Sequence, residues 1–146
     1  MGSKIQLQGG TKTEMTVLVD TSVWSLSLRK DGPANHPAVK KLQNLLIDTQ
    51  NIVLLGIILQ EILQGFKQEG TFTKVSTYLD AFPLLSLTRS DFVAAAKLRR
   101  QAAAQGLTLS TPDCQIAAAA IQHHCHLLTT DKDFSNLAQL VPLQLV

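Results

Sequence analysis

The feature that most constrains the fold is a regular alternation of short apolar runs with longer amphipathic segments, from Met15 to the end of the sequence. Short apolar runs bounded by turn residues indicate buried strands, whereas apolar positions spaced three and four residues apart indicate helices with one buried face. Strands that alternate with helices usually pair in parallel, because each helix carries the chain back across the sheet. We therefore predict an α/β protein with a central, mostly parallel β-sheet flanked by helices.

The predicted strands are short, and predicted helices occupy most of the chain between them. Strands are predicted at 16–20, 51–55, 83–87, 126–130 and 142–146. Helices are predicted at 22–28, 57–67, 73–81, 91–105 and near 134–138, with two more that begin after His36-Pro37 and at Thr111-Pro112. Ser90 and Thr111 are predicted to cap the helices that follow them.

The length and composition favour one domain. A chain of 146 residues, 45% of them hydrophobic, can bury a core of its own. The polar, glycine-rich residues 1–14 are predicted to be a disordered leader or the remnant of an added tag, and residues 15–146 the folded domain. No apolar run approaches the ~20 residues of a membrane span. Cys114 and Cys125 are predicted to be buried free thiols on one helix, which favours a cytoplasmic protein.

Four carboxylates lie where a merely solvated acid is not expected. Asp20 and Asp131 each follow a predicted strand. Asp113 lies in the first turn of an alanine-rich helix, and Glu61 interrupts an apolar helical stretch. Because ligand sites in parallel sheets gather beyond the carboxyl ends of the strands, we expect these side chains to converge. Such a cluster is tolerable only around a hard divalent cation such as Mg²⁺.

Each acid also has a purely structural explanation when it is taken alone. Asp20 could cap a helix, Asp113 could compensate a helix dipole, Glu61 could sit at a helix edge and Asp131 could form a turn. For Asp133 two roles are considered: an outer ligand of the cation, or the cap of the helix that begins near Phe134. The remaining acids are predicted to face solvent: Glu14, Asp31, Asp48, Glu69, Asp80 and Asp91. The combination of four inward-facing acids favours the metal site.

A carboxylate cluster around one or two Mg²⁺ or Mn²⁺ ions suits phosphodiester hydrolysis, since the metal activates a water and stabilises the leaving oxygen. The sequence offers no evident nucleophilic serine or cysteine paired with a histidine. His123, His124 and His126 lack the helical spacings of a zinc site and are predicted to be helix-end and surface residues.

Several of these segments, taken together, resemble the PIN-domain family, and most closely its VapC-type toxins of bacterial toxin–antitoxin pairs. The resemblance runs from Met15 to about Leu143. It rests on the opening segment Val17-Leu18-Val19-Asp20-Thr21-Ser22, the Glu61 helix, the segment Asp113-Cys114-Gln115-Ile116-Ala117-Ala118 and the segment Leu127-Leu128-Thr129-Thr130-Asp131-Lys132-Asp133-Phe134. The two C-terminal segments are the most specific part of the match.

The resemblance implies a single PIN-like domain that acts as a Mg²⁺- or Mn²⁺-dependent endoribonuclease. The family's acidic quartet falls on four positions of this sequence: Asp20, Glu61, Asp113 and Asp131. Its supporting hydroxyls fall on Thr21 or Ser22 and on Thr129, and Asp133 is a further supporting position. The resemblance also implies an RNA substrate, a homodimer and a cognate VapB-type antitoxin that blocks the active site.

Two basic residues and two rival functions complete the expectations. Arg99 and Arg100 form a local basic cluster, which is explained either by a solvated helix face or by contact with an RNA backbone. One rival is a non-catalytic PIN-like binding module that acts through its partner. The other is a haloacid-dehalogenase-type phosphatase with Asp20 as nucleophile, although Ser22 fits that class poorly because it expects Asp or Thr at that position.

Overall fold

In the computed structural model, the described residues are 15–29, 32, 35–48 and 51–146. The expectation for residues 1–14 lies outside them. The elements, in chain order, are β1 (Thr16–Val19), α1 (Thr21–Leu28), α2 (Pro37–Ile47), β2 (Asn51–Leu55), α3 (Gly56–Leu63), α4 (Glu69–Leu79), β3 (Leu84–Leu85), α5 (Arg89–Ala104), α6 (Thr111–Gln122), β4 (His126–Leu128) and α7 (Lys132–Leu137).

The described strands form one four-stranded sheet in the order β3-β2-β1-β4. Every pairing is parallel, and Leu18 of β1 lies between Val53 of β2 and Leu127 of β4. The side chains of β1 are inaccessible to solvent from Val17 to Val19, as expected for a strand covered by helices on both faces. The predicted α/β fold with a parallel sheet flanked by helices is confirmed.

Four predicted strands are shorter in the structure, and β1 ends at Val19, one residue before its predicted end. β3 has only two residues, and the C-terminal strand is reduced to one parallel bridge between Leu127 and Leu145. Pro83 and Pro142 lie at the starts of these segments and lack the N–H that a strand ladder needs. β4 ends at Leu128 because the Asp131 backbone N–H donates to Thr129 Oγ1, which turns the chain out of the sheet.

Helix α6 packs closely because it is rich in alanine. Ala117–Ala120 are all buried, and their small side chains let the helix approach its neighbours. The helix ends at Gln122, so Cys125 lies after it and not on the same helix as Cys114; both cysteines are buried and free, as predicted. His124 then adopts a left-handed backbone conformation with φ of 55°, which reverses the chain into β4.

Two helix caps differ from the prediction by one or two residues. Thr88, not Ser90, is the N-cap of α5, and Ser110, not Thr111, is the N-cap of α6. In both cases an acid three residues later made the correct start recognisable, since Ser/Thr followed by an acid at that spacing is a capping pattern. None of the described helices is both long and apolar enough to cross a membrane.

Candidate metal centre

The end of β1 places Asp20 at the carboxyl edge of the sheet. Its backbone N–H donates to the carbonyl oxygen of Leu128 at 2.9 Å, which fixes the end of β1 to the end of β4. Asp20 is only 6% exposed. It is the N-cap residue of α1, yet its side chain makes no capping hydrogen bond within the described chain. Helix capping by this carboxylate therefore does not explain why an acid is buried here.

Two hydroxyl groups hold the Asp20 carboxylate from one side. Ser22 Oγ donates to Asp20 Oδ2 at 2.8 Å, and Thr129 Oγ1 donates to the same oxygen at 2.9 Å. Both hydroxyls also accept from the chain after β4: Ser22 Oγ from the Thr130 N–H at 3.2 Å, and Thr129 Oγ1 from the Asp131 N–H at 3.0 Å. This network orients the carboxylate, and both hydroxyl groups donate to Oδ2 and not to Oδ1.

The first turns of α6 and α7 bring three further carboxylates together. Oxygen atoms of Asp113, Asp131 and Asp133 all lie within 4.8 Å of one another. Asp131 is also the N-cap of α7, where its Oδ1 accepts from the Asp133 N–H at 2.9 Å. The cap of α7 is thus Asp131, and Asp133, which the sequence left open between a ligand and a cap, belongs to the carboxylate cluster.

The environment of Asp113 disfavours its charged form in the absence of a cation. Burial raises the pKa of the Asp113 carboxyl, and the negative charges of Asp131, Asp20 and Asp133 raise it further. A hydrogen bond with Ser110 opposes them. Asp20 is thus one of the acids whose charge acts on Asp113. A bound cation would remove this unfavourable interaction.

Glu61 is not a member of this group of three. It is half-buried on α3, and its Oε1 accepts from Thr21 Oγ1 at 2.8 Å. Because Thr21 follows Asp20 directly, this hydrogen bond ties α3 to the strand end that carries Asp20. The structure therefore connects Glu61 to Asp20 through Thr21 and shows no direct contact of Glu61 with the group of three among the described residues.

The donor set fits a hard divalent cation. Asp113, Asp131 and Asp133 offer only carboxylate oxygens, which are the ligands that Mg²⁺ and Mn²⁺ prefer. Among the described residues, no histidine or cysteine joins this group, so the softer ligands that favour zinc do not contribute.

The sequence matches the PIN domain family over residues 17–140, which is most of the chain. The chain belongs to the PIN-domain family. The predicted resemblance to this family is confirmed, and the haloacid-dehalogenase alternative is set aside. The acids at the strand ends of this PIN domain are therefore candidates for its active site.

Known relatives place this PIN domain among the VapC-type proteins. VapC ribonuclease Mb1587 of Mycobacterium bovis and ribonuclease VapC11 of Mycobacterium tuberculosis are each 34% identical over 130 residues, which span 88% of this chain and 96% of the relative. The crystal structure of VapBC2 from Rickettsia felis, bound to a DNA fragment from its promoter, has a chain with the same fold. It matches with a TM-score of 0.73 at 20% identity and covers 90% of this chain and 98% of that chain.

One acid predicted to face solvent is instead buried away from the cluster. Asp91 is 5% exposed, and its Oδ2 accepts from the Thr88 N–H at 2.8 Å in the capping box of α5. Its Oδ1 contacts Gln122 Nε2 at 3.3 Å and His123 Nε2 at 3.0 Å at the end of α6. The solvent-facing prediction for Asp91 was wrong. The capping spacing from Thr88 to Asp91 was visible in the sequence, but the contacts with the end of α6 were not.

Proposed function

We propose that this protein is a Mg²⁺- or Mn²⁺-dependent endoribonuclease that hydrolyses RNA phosphodiester bonds and acts as a toxin. The observation that carries the proposal is the convergence of carboxylates beyond the strand ends, with Asp113, Asp131 and Asp133 within 4.8 Å. The mycobacterial relatives that are called ribonucleases, at 34% identity, support the choice of RNA.

In this proposal the acids divide into ligands and supporting groups. Asp20, Asp113 and Asp131 hold the cation, with Asp133 beside them and Glu61 at the flank. When bound, the cation lowers the pKa of a coordinated water and stabilises the leaving oxygen. Glu61 Oε1 is occupied by Thr21, so Oε2 is the oxygen that can accept a hydrogen bond from the attacking water.

The hydroxyl groups keep these acids in place without reacting. Ser22 and Thr129 saturate Asp20 Oδ2 and so direct Oδ1 toward the cation. Thr129 also receives the Asp131 N–H, so one side chain couples the positions of two proposed ligands. Precise placement of ligands by such outer contacts is a general requirement of metal sites.

The proposed partners follow from the VapC-type relationship. We propose a cognate VapB-type antitoxin that blocks the metal centre, a homodimer, and a cytoplasmic location.

The described surface offers apolar contacts for such partners on α4, where Phe72 and Tyr78 are 36% and 44% exposed. Tyr78 also packs against Phe82 with ring centroids 5.7 Å apart, so a partner would meet a supported aromatic surface. Phe66 is half-buried nearby along the chain.

Cleavage of cellular RNA by the purified protein tests this function. We expect discrete fragments with Mg²⁺ or Mn²⁺ and no fragments with EDTA. Asp113→Asn should lower the rate at least about a hundredfold, because the loss of a ligand charge should cost more than the 10- to 100-fold usual for contacts that only orient a ligand. Asp80→Asn, at an exposed position after α4, is the matched control and should cleave normally.

A non-catalytic binding module would give a different result in the same experiment. It would produce no metal-dependent fragments although the protein is folded and free of antitoxin. Equal cleavage by wild type and Asp113→Asn would instead show that the fragments come from another nuclease or another site.

A further inference from the structure

Two adjoining depressions lie along α5, and one of them extends to the start of α6. One, of about 260 Å³, is lined by residues that include Phe92, Arg99 and Thr111. The other, of about 360 Å³, is lined by residues that include Arg99 and Arg100. They share Arg99 and Ala96 and so form one continuous surface, here called the α5–α6 groove.

The side chain of Arg99 is anchored at one edge of its guanidinium group. Its Nε donates to the Leu109 carbonyl oxygen at 2.9 Å, which anchors one edge of the guanidinium to the loop before α6. The two terminal amino groups are the remaining donors, and they form the fork that matches two phosphate oxygens. An anchored guanidinium also loses less side-chain entropy on binding than a free one.

The composition of the groove favours a polyanion with flat, apolar parts. Arg99 and Arg100 supply two positive charges, and no acid is among the described residues that line either depression. Phe92 is 49% exposed at one end and offers a ring face for stacking. Ala96 and Ala103 have small side chains, which permit close approach of a bound strand.

The groove adjoins the proposed cleavage site through the first turn of α6. Thr111 and Cys114 line it, and Asp113 lies between them in the chain. The groove therefore reaches the helical turn that carries Asp113.

We propose that the α5–α6 groove binds an unpaired RNA segment that leads over the start of α6 to the metal centre. Arg99 and Arg100 bind its phosphates, and Phe92 stacks on one of its bases. An unpaired strand is required because only unstacked bases expose a face to an aromatic side chain. The proposal rests on the proposed ribonuclease function and adds the class of substrate and its path.

Binding of a labelled RNA in EDTA, measured by fluorescence anisotropy, tests the groove without cleavage. A mixed-sequence single strand should bind more tightly than the same RNA annealed to its complement. Phe92→Leu should weaken single-strand binding about tenfold, within the usual range for loss of one stacking contact. Arg100→Gln should weaken it and lower the salt slope by about 0.7, the value for one phosphate contact on a single strand.

Lys97→Gln is the matched control for charge. It removes the same charge from the same helix, but Lys97 lines depressions on the other side of α5. Its RNA affinity and salt slope should stay close to those of wild type. Arg99→Gln is a weaker test because it also removes the hydrogen bond to the Leu109 carbonyl oxygen. The variants at Arg100 and Phe92 therefore decide the question.

Each outcome of this experiment supports or overturns the proposal that the α5–α6 groove binds RNA. Equal effects of Lys97→Gln and Arg100→Gln, or unchanged binding by Phe92→Leu, would overturn it. So would a change of oligomeric state in the groove variants, which would identify a second copy of the chain as the occupant. If wild type cleaves RNA with metal while the groove variants bind normally, the groove fails and the proposed function stands. If wild type neither binds nor cleaves RNA, the proposed function itself fails.

Discussion

At the scale of single residues, the carboxylate of Asp20 is notable for the asymmetry of its contacts. Ser22 and Thr129 both donate to Oδ2, so two neutral hydroxyls fix the orientation of a buried charge without neutralising it. A salt bridge would have competed with a cation for the same carboxylate. Hydroxyl donors therefore keep this acid available as a ligand while the end of β1 stays tied to the end of β4.

Removing one of these hydroxyls should weaken metal binding. For Thr129→Val we expect Mn²⁺ affinity to fall about tenfold, the lower end of the effect usual for contacts that orient a ligand. Isothermal titration calorimetry gives the affinity directly. Ser25→Ala, which removes an exposed hydroxyl from α1, is the control. Wild-type affinity in Thr129→Val would mean that Ser22 and the backbone position Asp20 without Thr129.

Asp113 should lower the stability of the metal-free protein near neutral pH. Its pKa is raised in the folded state, first by burial and then by the neighbouring acids. Folding therefore disfavours the charged carboxyl. This unfavourable contribution is fully present above the folded-state pKa and disappears as the pH falls through it toward the ordinary aspartate value.

Asp113→Asn should accordingly raise the melting temperature of the metal-free protein at pH 7 and have a smaller effect near pH 4. The same variant should lose the stabilisation that Mg²⁺ gives to wild type. The measurement is the melting temperature of wild type and of Asp113→Asn, with EDTA and with Mg²⁺, at pH 7 and near pH 4. A lower melting temperature at pH 7 without metal would contradict this account of Asp113.

At the scale of elements, Asp91 links the start of α5 to the end of α6. The Thr88 backbone N–H is the main cause that lowers the pKa of Asp91; burial opposes it, and Gln122 and His123 lower the pKa further. A lowered pKa means that the carboxylate stabilises the fold above the ordinary aspartate pKa. That stabilisation is lost as the pH falls through the folded-state value.

Asp91→Asn should reduce the free energy of unfolding by about 1–2 kcal/mol at pH 7, since it weakens a helix cap and its bonds to α6. The difference from wild type should shrink at acid pH, where Asp91 becomes protonated. Urea unfolding at pH 7 and near pH 3 measures both effects, with the exposed Asp80→Asn as control. Equal free energies of unfolding at pH 7 would show that the contacts of Asp91 with Gln122 and His123 do not stabilise the fold.

Sequence reasoning succeeds for elements whose local signals agree with their packing. The run before Asp20 is apolar because β1 is buried on both faces, and Asn51–Leu55 was predicted with its observed bounds. It fails where the chain meets distant partners. Asp91 is polar in its local context, but the end of α6, more than thirty residues away, buries it. No local pattern contains that contact.

At the scale of the whole molecule, the sheet order explains why the acids can meet. β1 lies beside β4, so the residues after these two strands, including Asp20 and Asp131, lie at one edge of the sheet. The start of α6 adds Asp113 at the same edge. The sequence predicted this edge from the positions of the acids, whereas the inclusion of Asp133 in the cluster depends on the turn into α7 and was left open.

The central claim is that these acids together hold a divalent cation, and anomalous X-ray scattering from Mn²⁺-soaked crystals tests it most directly. We predict an anomalous peak among Asp113, Asp131 and Asp133, with Asp20 on its border, and no such peak in Asp113→Asn crystals treated in the same way. A Mn²⁺ ion bound elsewhere in the wild-type protein, with this cluster unoccupied at saturating Mn²⁺, would contradict the account.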